Sequence, residues 1–185
     1  MAVSKTQIAN KALIYLGVKT ITSIADAPKS AVVLNAIIDQ CIEEVLRAHP
    51  WNSATFRSQP GPDATGPLYD WTNQFSWPLD CLRILKIDDG RTKYKIENKK
   101  ILTNSDTIDL LYIKKILPGE MDSLLSDTVS ARMAWDAAMS LTDDIDTESR
   151  MERKYGLKLS EARNIDAQES AETDDLGSDE WVDTR

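Results

Sequence analysis

The sequence predicts an α+β fold that is mainly α, with a helical bundle formed from both ends of the chain and a small antiparallel β-sheet inserted between them. Apolar residues recur at three- and four-residue steps near both ends, whereas short apolar runs bounded by turn residues fill the middle. A third pattern, an acidic C-terminal stretch, predicts an extended arm. The expected parts are a bundle of residues 1–50 and 118–168, an aromatic and Pro-rich loop of residues 51–81, a β sub-domain of residues 82–117 and an acidic arm of residues 169–185.

The composition is typical of a soluble globular protein. With 185 residues, 42% of them hydrophobic, the chain is long enough to bury a core of its own. Its net charge of −8 argues against a protein that grips nucleic acid through a basic face. Cys41 and Cys81 do not make a disulfide framework, and no run approaches the roughly 18 apolar residues that span a membrane. Because no signal peptide is recognisable either, we expect a protein made in a reducing cytosol.

The first predicted helix has recognisable signals at both ends. Ser4 and Gln7 have the spacing of a capping box, and Gly17 followed by Val18 is typical of a Schellman close. The residues expected to share its apolar face are Ile8, Ala12, Tyr15 and Leu16.

The second helix has the longest apolar stripe. It is expected to begin between Pro28 and Ser30 and to end before Pro50, because proline cannot continue a helix. The stripe consists of Leu34, Ile37, Ile38, Cys41, Ile42 and Val45. A helix of this length suits the centre of a bundle, and we expect its stripe to pack against Met133, Ala137 and Leu141.

Residues 51–80 change in character. They contain three of the five tryptophans, both phenylalanines and four of the seven prolines. The turn signals at residues 60–62 and 66–67 exclude a long helix. Aromatic residues in a loop of this length indicate an ordered, packed loop or an interface.

Four short apolar runs follow, which we interpret as the strands of one small antiparallel sheet over residues 82–116. The runs are residues 82–87, 94–96, 101–103 and 108–113. Asn98 and Lys99 separate the second run from the third and predict a tight hairpin turn.

Two further helices are predicted in the last third of the chain. Asp122 or Ser126 caps the first, in which Val129, Met133, Ala137 and Leu141 recur at four-residue steps. The second opens near Thr147 and is expected to end near Asp166. Its expected apolar face consists of Met151, Tyr155, Leu159 and Ala162.

The acidic stretch permits two interpretations. Residues 166–185 contain eight acidic residues and one basic residue, Arg185, so they cannot bury enough apolar surface to fold alone. The first interpretation is a solvating tail. However, Leu176 and Trp181 interrupt the acidic residues, and apolar anchors of this kind favour the second interpretation, an arm that becomes ordered on a partner.

No arrangement of residues predicts catalysis, a metal site or a cofactor site. His49 is the only histidine, and at the end of a helix we expect it to cap free carbonyl groups and complement the helix dipole. With Pro50 and Trp51 it is expected to have a structural role in holding the helix end. The sequence has no second histidine or CxxC motif for zinc and no glycine-rich phosphate loop.

The doublets Glu43-Glu44 and Asp143-Asp144 could suggest a glycosidase pair. However, neighbouring helical residues point about 100° apart, so neither doublet is a ready-made pair. Glu44 and Arg47 are spaced for a surface ion pair.

The order of these parts resembles the tail tubular protein A family, the head-to-tail adaptors of short-tailed phages. Residues 44–52, EVLRAHPWN, carry the most specific likeness, and residues 77–83, WPLDCLR, resemble the family's entry into its sheet. The N-terminal motifs at residues 12–17 and 21–24 are also similar, as are the two C-terminal helices and the Trp near the end of the sequence.

The resemblance implies a structural virion protein without enzymatic activity or cofactor, assembled in the host cytoplasm. Such adaptors form a ring, usually of about twelve subunits, that joins the portal protein to the tail nozzle protein and surrounds the DNA exit channel. It also implies that the arm lies along the portal. From the residues themselves we expect Leu176 and Trp181 to supply the anchors of the arm and Arg185 to add a paired contact. DNA would pass through without specific binding. Two alternatives stay open, a virion-associated cell-wall glycosidase and a small cytosolic interaction domain.

Overall fold

The computed structural model describes residues 3–88 and 90–170, and it confirms the α+β, mainly α class. The helices are α1 (Lys5–Leu16), α2 (Lys29–Ala48), α3 (Ser123–Thr142) and α4 (Ile145–Ser170). The strands are β1 (Thr55–Ser58), β2 (Asn73–Ser76), β3 (Cys81–Ile87), β4 (Tyr94–Glu97), β5 (Lys100–Thr103) and β6 (Leu110–Lys114).

Local signals determine both ends of α1. The Ser4 hydroxyl accepts from the Gln7 N–H at 3.2 Å, and the Gln7 side chain accepts from the Ser4 N–H at 2.8 Å, as the capping box predicts. Gly17 has φ 69°, and the Val18 N–H donates to the Leu13 carbonyl at 2.9 Å. The predicted Schellman close is therefore confirmed, and it needs the left-handed conformation that glycine adopts most easily.

Helix α3 is the centre of the bundle and packs against the other three helices. The α2 residues Leu34, Ile38, Cys41 and Val45 are fully buried, and they share one core with Met133 and Ala137 of α3. The predicted packing of the α2 stripe on α3 is thus confirmed. Leu141 contributes from the margin, as a partly buried residue.

The end of α4 differs from the prediction. The helix does not stop near Asp166 but continues to Ser170, so the first two residues assigned to the arm of residues 169–185 are helical. The physical reason is that Asp166 is 7% exposed and bonded to the body of the protein, which stabilises the last turns. Residues 171–185 lie outside the described residues, and so do Leu176, Trp181 and Arg185.

The single sheet predicted over residues 82–116 is wrong. The structure has two three-stranded antiparallel sheets, with strand orders β1-β6-β3 and β2-β5-β4. Strands β1 and β2 lie within residues 51–81, so the prediction that this whole segment is a loop is wrong. Each completes a sheet that would otherwise have two strands, and two-stranded sheets are marginal in water.

The sheet β1-β6-β3 lies between two cores. Ile113 of β6 belongs to the core of the helical bundle, whereas Leu110 and Tyr112 of the same strand belong to a second core. This second core also contains Phe75 of β2 and Ile101 of β5. We call residues 55–114 the β lobe, and it is joined to the bundle through the sheet that both cores share.

The hairpin turn between β4 and β5 is confirmed. Asn98 has φ 46° and Lys99 has φ 57°, so both central residues are in the left-handed region, as a type I′ turn requires.

Candidate functional site

The segment that follows α2 is held against α4 by one carboxylate. Nε2 of His49 lies 3.1 Å from Oδ2 of Asp166, and Oδ1 of Asp166 accepts the backbone N–H of Asn52 at 3.0 Å. The Asn52 side chain donates to the backbone carbonyl of Asp166 at 2.8 Å. We call these three residues, with Trp51 and Arg163, the α2–α4 junction.

Trp51 is the buried centre of the junction. It is 1% exposed, its indole N–H donates to the Val45 carbonyl at 2.9 Å, and its ring meets the His49 ring edge-on at 4.8 Å. Pro50 lies between the two rings in sequence, directly after the residue that caps the helix. Trp51 therefore both fills the core and bonds a carbonyl in the last turn of α2.

The role predicted for His49 differs from what the structure shows. His49 has extended backbone, with φ −149°, and its ring nitrogen faces Asp166 rather than the helix carbonyls. The carbonyl of Ala48 accepts instead from Arg163 at 2.6 Å, and that of Arg47 accepts from Arg83 at 2.9 Å. Cationic side chains from α4 and β3 thus complete the end of α2.

A second buried carboxylate joins three helices of the bundle. Asp127 of α3 accepts a hydrogen bond from the Tyr15 hydroxyl, and it lies 3.0 Å from Lys11 Nζ and 3.3 Å from Lys158 Nζ. Burial raises the pKa of Asp127, but the hydrogen bonds from its three partners outweigh burial and hold the pKa below its usual range. Burial and the neighbouring carboxylate raise the pKa of Tyr15 well above its usual value.

The carboxylate doublets are divided between separate structural partners. Glu43 pairs with Lys115 at 2.7 Å, and Glu44 pairs with Arg132 at 2.8 Å, so the predicted Glu44–Arg47 ion pair is wrong. Arg47 donates instead to a backbone carbonyl of β3. Each carboxylate therefore contacts a cation from another element.

The other doublet lies at the α3–α4 connection. Asp143 has φ 51° and ends α3, whereas Asp144 accepts from the backbone of Asp146 at 3.0 Å and from the Thr147 hydroxyl at 2.5 Å. These hydrogen bonds lower the pKa of Asp144. Both residues therefore shape the turn between the two helices.

Both cysteines are free thiols. Burial, together with Asp136 at 3.4 Å, raises the pKa of Cys41, and burial raises the pKa of Cys81 to about 11. Since the thiolate is the reactive form, both side chains are poor nucleophiles at neutral pH.

The outer face of the β2-β5-β4 sheet carries a cleft that the sequence prediction missed. The loop of residues 65–71 covers this face and encloses about 460 Å³ with Leu102 and Lys95. Leu68 is 97% exposed and Tyr69 is 75% exposed on the loop. Four lysines are closely spaced in residues 93–100, and two of them, Lys95 and Lys100, line the cleft. This concentration of positive charge is the sequence signal that could have indicated a binding surface here.

No protein-family model and no curated protein matches the chain. In residues 3–88 and 90–170 there is no group of three or more His, Cys, Asp and Glu side chains that could hold a metal ion. Within the same residues, no helix has the length and apolar character needed to cross a membrane.

Proposed function

We propose that the protein is a structural head-to-tail adaptor of the kind found in short-tailed phages. Its copies form a ring, of about twelve subunits, between the portal protein and the tail nozzle protein. It acts in the virion and has no catalytic role.

The observation that carries this proposal is the identity of the residues at the α2–α4 junction. Residues 44–52 carry the most specific resemblance to the adaptor family, and three of them, His49, Trp51 and Asn52, belong to the junction. The junction holds the last turns of α4, which ends at Ser170, directly before residues 171–185 in the sequence. A defined starting point is what an arm reaching for a neighbouring protein requires, because it limits the volume that the arm must search.

The composition of the arm supports portal binding. Residues 171–185 contain six acidic residues and one basic residue, Arg185, with Leu176 and Trp181 between them. The acidic residues steer the arm to basic groups on the portal, and the two apolar side chains supply the anchors that exclude water. Arg185 adds a paired polar contact.

The net charge of −8 per copy supports passage of DNA without specific binding. A ring of such copies offers the duplex no surplus of positive charge, and retained phosphates require lysine or arginine contacts. Tight, salt-sensitive binding of duplex DNA by the purified protein would contradict this part of the proposal.

The decisive experiment mixes the purified full chain with the portal protein encoded in the same genome and measures particle mass and shape by electron microscopy. We expect a closed ring of this protein on one face of the portal. Absence of any complex, together with degradation of peptidoglycan that His49→Ala or Glu44→Ala abolishes, would instead establish the cell-wall glycosidase.

A further inference from the structure

The hairpin formed by β4 and β5 is a basic edge on an acidic protein. Residues 91–100 contain five basic residues and one acidic residue, Glu97. Lys95 pairs with Glu97 at 2.6 Å, and Lys100 pairs with Asp63. Lys93 and Lys99 are both exposed, one directly before β4 and the other in the turn that follows it. The hairpin therefore attracts acidic chains.

Strand β4 also offers a place for a further strand. In the part of the chain that the structure describes, β4 is the last strand of the order β2-β5-β4, and all four of its residues are exposed. The outer N–H and C=O groups of an edge strand can pair with an added segment. An extended peptide would thus find main-chain partners along this edge.

The two faces beside this edge are partly apolar. Tyr94 and Ile96 are 44% and 43% exposed on the face that continues into the β-lobe core. Lys95 lies on the opposite face of the sheet, where it lines the 460 Å³ cleft together with Tyr69. A bound strand could therefore place apolar side chains on both sides while its acidic groups meet lysines.

Residues 171–185 of the same chain have the matching chemistry and the necessary reach. Their six acidic residues complement the hairpin charge, and Trp181 and Val182 offer a large apolar pair. The segment starts after Ser170, and the α4 end is bonded through Asp166 to Asn52, directly before β1 of the lobe. Fifteen residues extend up to about 50 Å, which is more than twice the roughly 23 Å of the seven-residue β3, the longest strand of the lobe.

We propose that the acidic segment of residues 171–185 docks along the free edge of β4 in its own chain. Docking within one chain has the advantage of a high effective concentration, on the order of millimolar for two groups joined by a short stretch of chain. The acidic residues meet Lys93 and Lys99, and Trp181 packs beside the exposed apolar side chains. Any protein that takes hold of the segment must first displace it from the hairpin. This inference does not rest on the adaptor function, since it concerns the isolated chain.

The test is zero-length carbodiimide cross-linking of the full chain, prepared as an equal mixture of ¹⁴N- and ¹⁵N-labelled protein. We expect cross-links from acidic residues of the segment to Lys93, Lys95 and Lys99, and each linked pair of peptides should carry a single label. The yield of these cross-links should fall several-fold in about 0.5 M NaCl, because salt screens the attraction between the charges. Links that form equally with the exposed lysines Lys19 and Lys29 would overturn the proposal. If cross-linked products that contain one ¹⁴N and one ¹⁵N peptide were as frequent as products of a single label, the links would form between molecules. That result would replace the proposal with docking on a second copy.

A pair of charge-reversal variants gives an independent measurement. Lys93→Glu with Lys99→Glu should shift the indole NMR signal of Trp181, which a Trp181→Phe variant assigns. The matched control, Lys19→Glu with Lys29→Glu, makes the same change of net charge on the helical bundle and should leave the signal in place. An indole signal that stays unchanged in the hairpin variant would contradict the proposed docking.

Discussion

His49 and Asp166 are 117 residues apart in the sequence, yet Nε2 of one lies 3.1 Å from a carboxylate oxygen of the other. The same carboxylate accepts the backbone N–H of Asn52, so it links the exit of α2, the entry to the β lobe and the end of α4. The contact therefore fixes the end of α4 at the point where the bundle passes into the β lobe.

Replacing Asp166 with alanine tests the strength of this link. The change removes the acceptor of the Asn52 N–H and the partner of His49. Because Asn52 is exposed and His49 is only partly buried, water can replace the lost partner, and the cost is that of an ordinary hydrogen bond, about 0.5–1.5 kcal/mol. We expect a loss of that size in the free energy of unfolding, measured by urea denaturation. Glu169→Ala, on the exposed side of the same helix, is the control and should stay close to the unmodified protein. Equal stabilities for the two variants would show that the junction contributes nothing.

Ile38→Asp tests the helical core. Ile38 is fully buried in the centre of the α2 stripe, and an unpaired carboxylate there should cost several kcal/mol and unfold the chain. Val32→Asp is the matched control, because Val32 lies on the same helix, is 57% exposed, and is close to the N-terminus, where a negative charge is tolerated. A helical spectrum by circular dichroism for Ile38→Asp would contradict the packing described here.

The Tyr15–Asp127 pair predicts a stability that declines at both ends of the pH range. The folded-state pKa of Asp127 is lowered, so its contribution is present above about pH 4 and is lost as the pH falls. The folded-state pKa of Tyr15 is raised, so its contribution is present below about pH 10 and is lost as the pH rises. In urea denaturation, the stability difference between the unmodified protein and Asp127→Asn should shrink in acid. The difference in stability between the unmodified protein and Tyr15→Phe should shrink in alkali. If neither difference varied with pH, the proposed coupling of Tyr15 and Asp127 would be refuted.

Lys99→Gly should stabilise the β4–β5 hairpin. Lys99 has φ 57°, a conformation that costs an L-residue about 1 kcal/mol and that glycine adopts freely. An increase in the melting temperature is the expected result. Lys95→Gly removes the same side chain from an extended strand position and should lower the melting temperature. If both variants melt alike, the turn conformation is not what limits hairpin stability.

These results separate what the sequence could predict from what it could not. The ends of α1 depend on Ser4, Gln7 and Gly17, whose partners are within a few residues, so their pattern is visible in the sequence. The turn at Asn98 and Lys99 is local for the same reason. Strands β1 and β2 were missed because their partners, β6 and β5, lie far along the chain, and four-residue strands carry too little periodicity of their own.

The α2–α4 junction was only half predictable. His49, Pro50 and Trp51 stand out because they follow a long apolar stripe and include the only histidine. Asp166 does not stand out, since it is one of thirty acidic residues and its partner is 117 positions away. Its burial follows from the approach of α4 to α2, which only the packed bundle determines.

On the proposed adaptor function, removal of residues 171–185 is expected to abolish attachment to the portal. The body should stay folded, because the helices and strands bury two extensive apolar cores against one another. Trp181→Ala should weaken attachment strongly, since tryptophan is one of the residue types enriched among interface hot spots. Both variants are compared with the full chain by measuring the mass of the complex formed on purified portal, and their unfolding curves serve as the control for folding.

Normal attachment by the truncated chain would refute the arm. Loss of attachment on truncation, with normal attachment by Trp181→Ala, would retain the arm and show that its acidic residues, rather than its tryptophan, supply the contact with the portal.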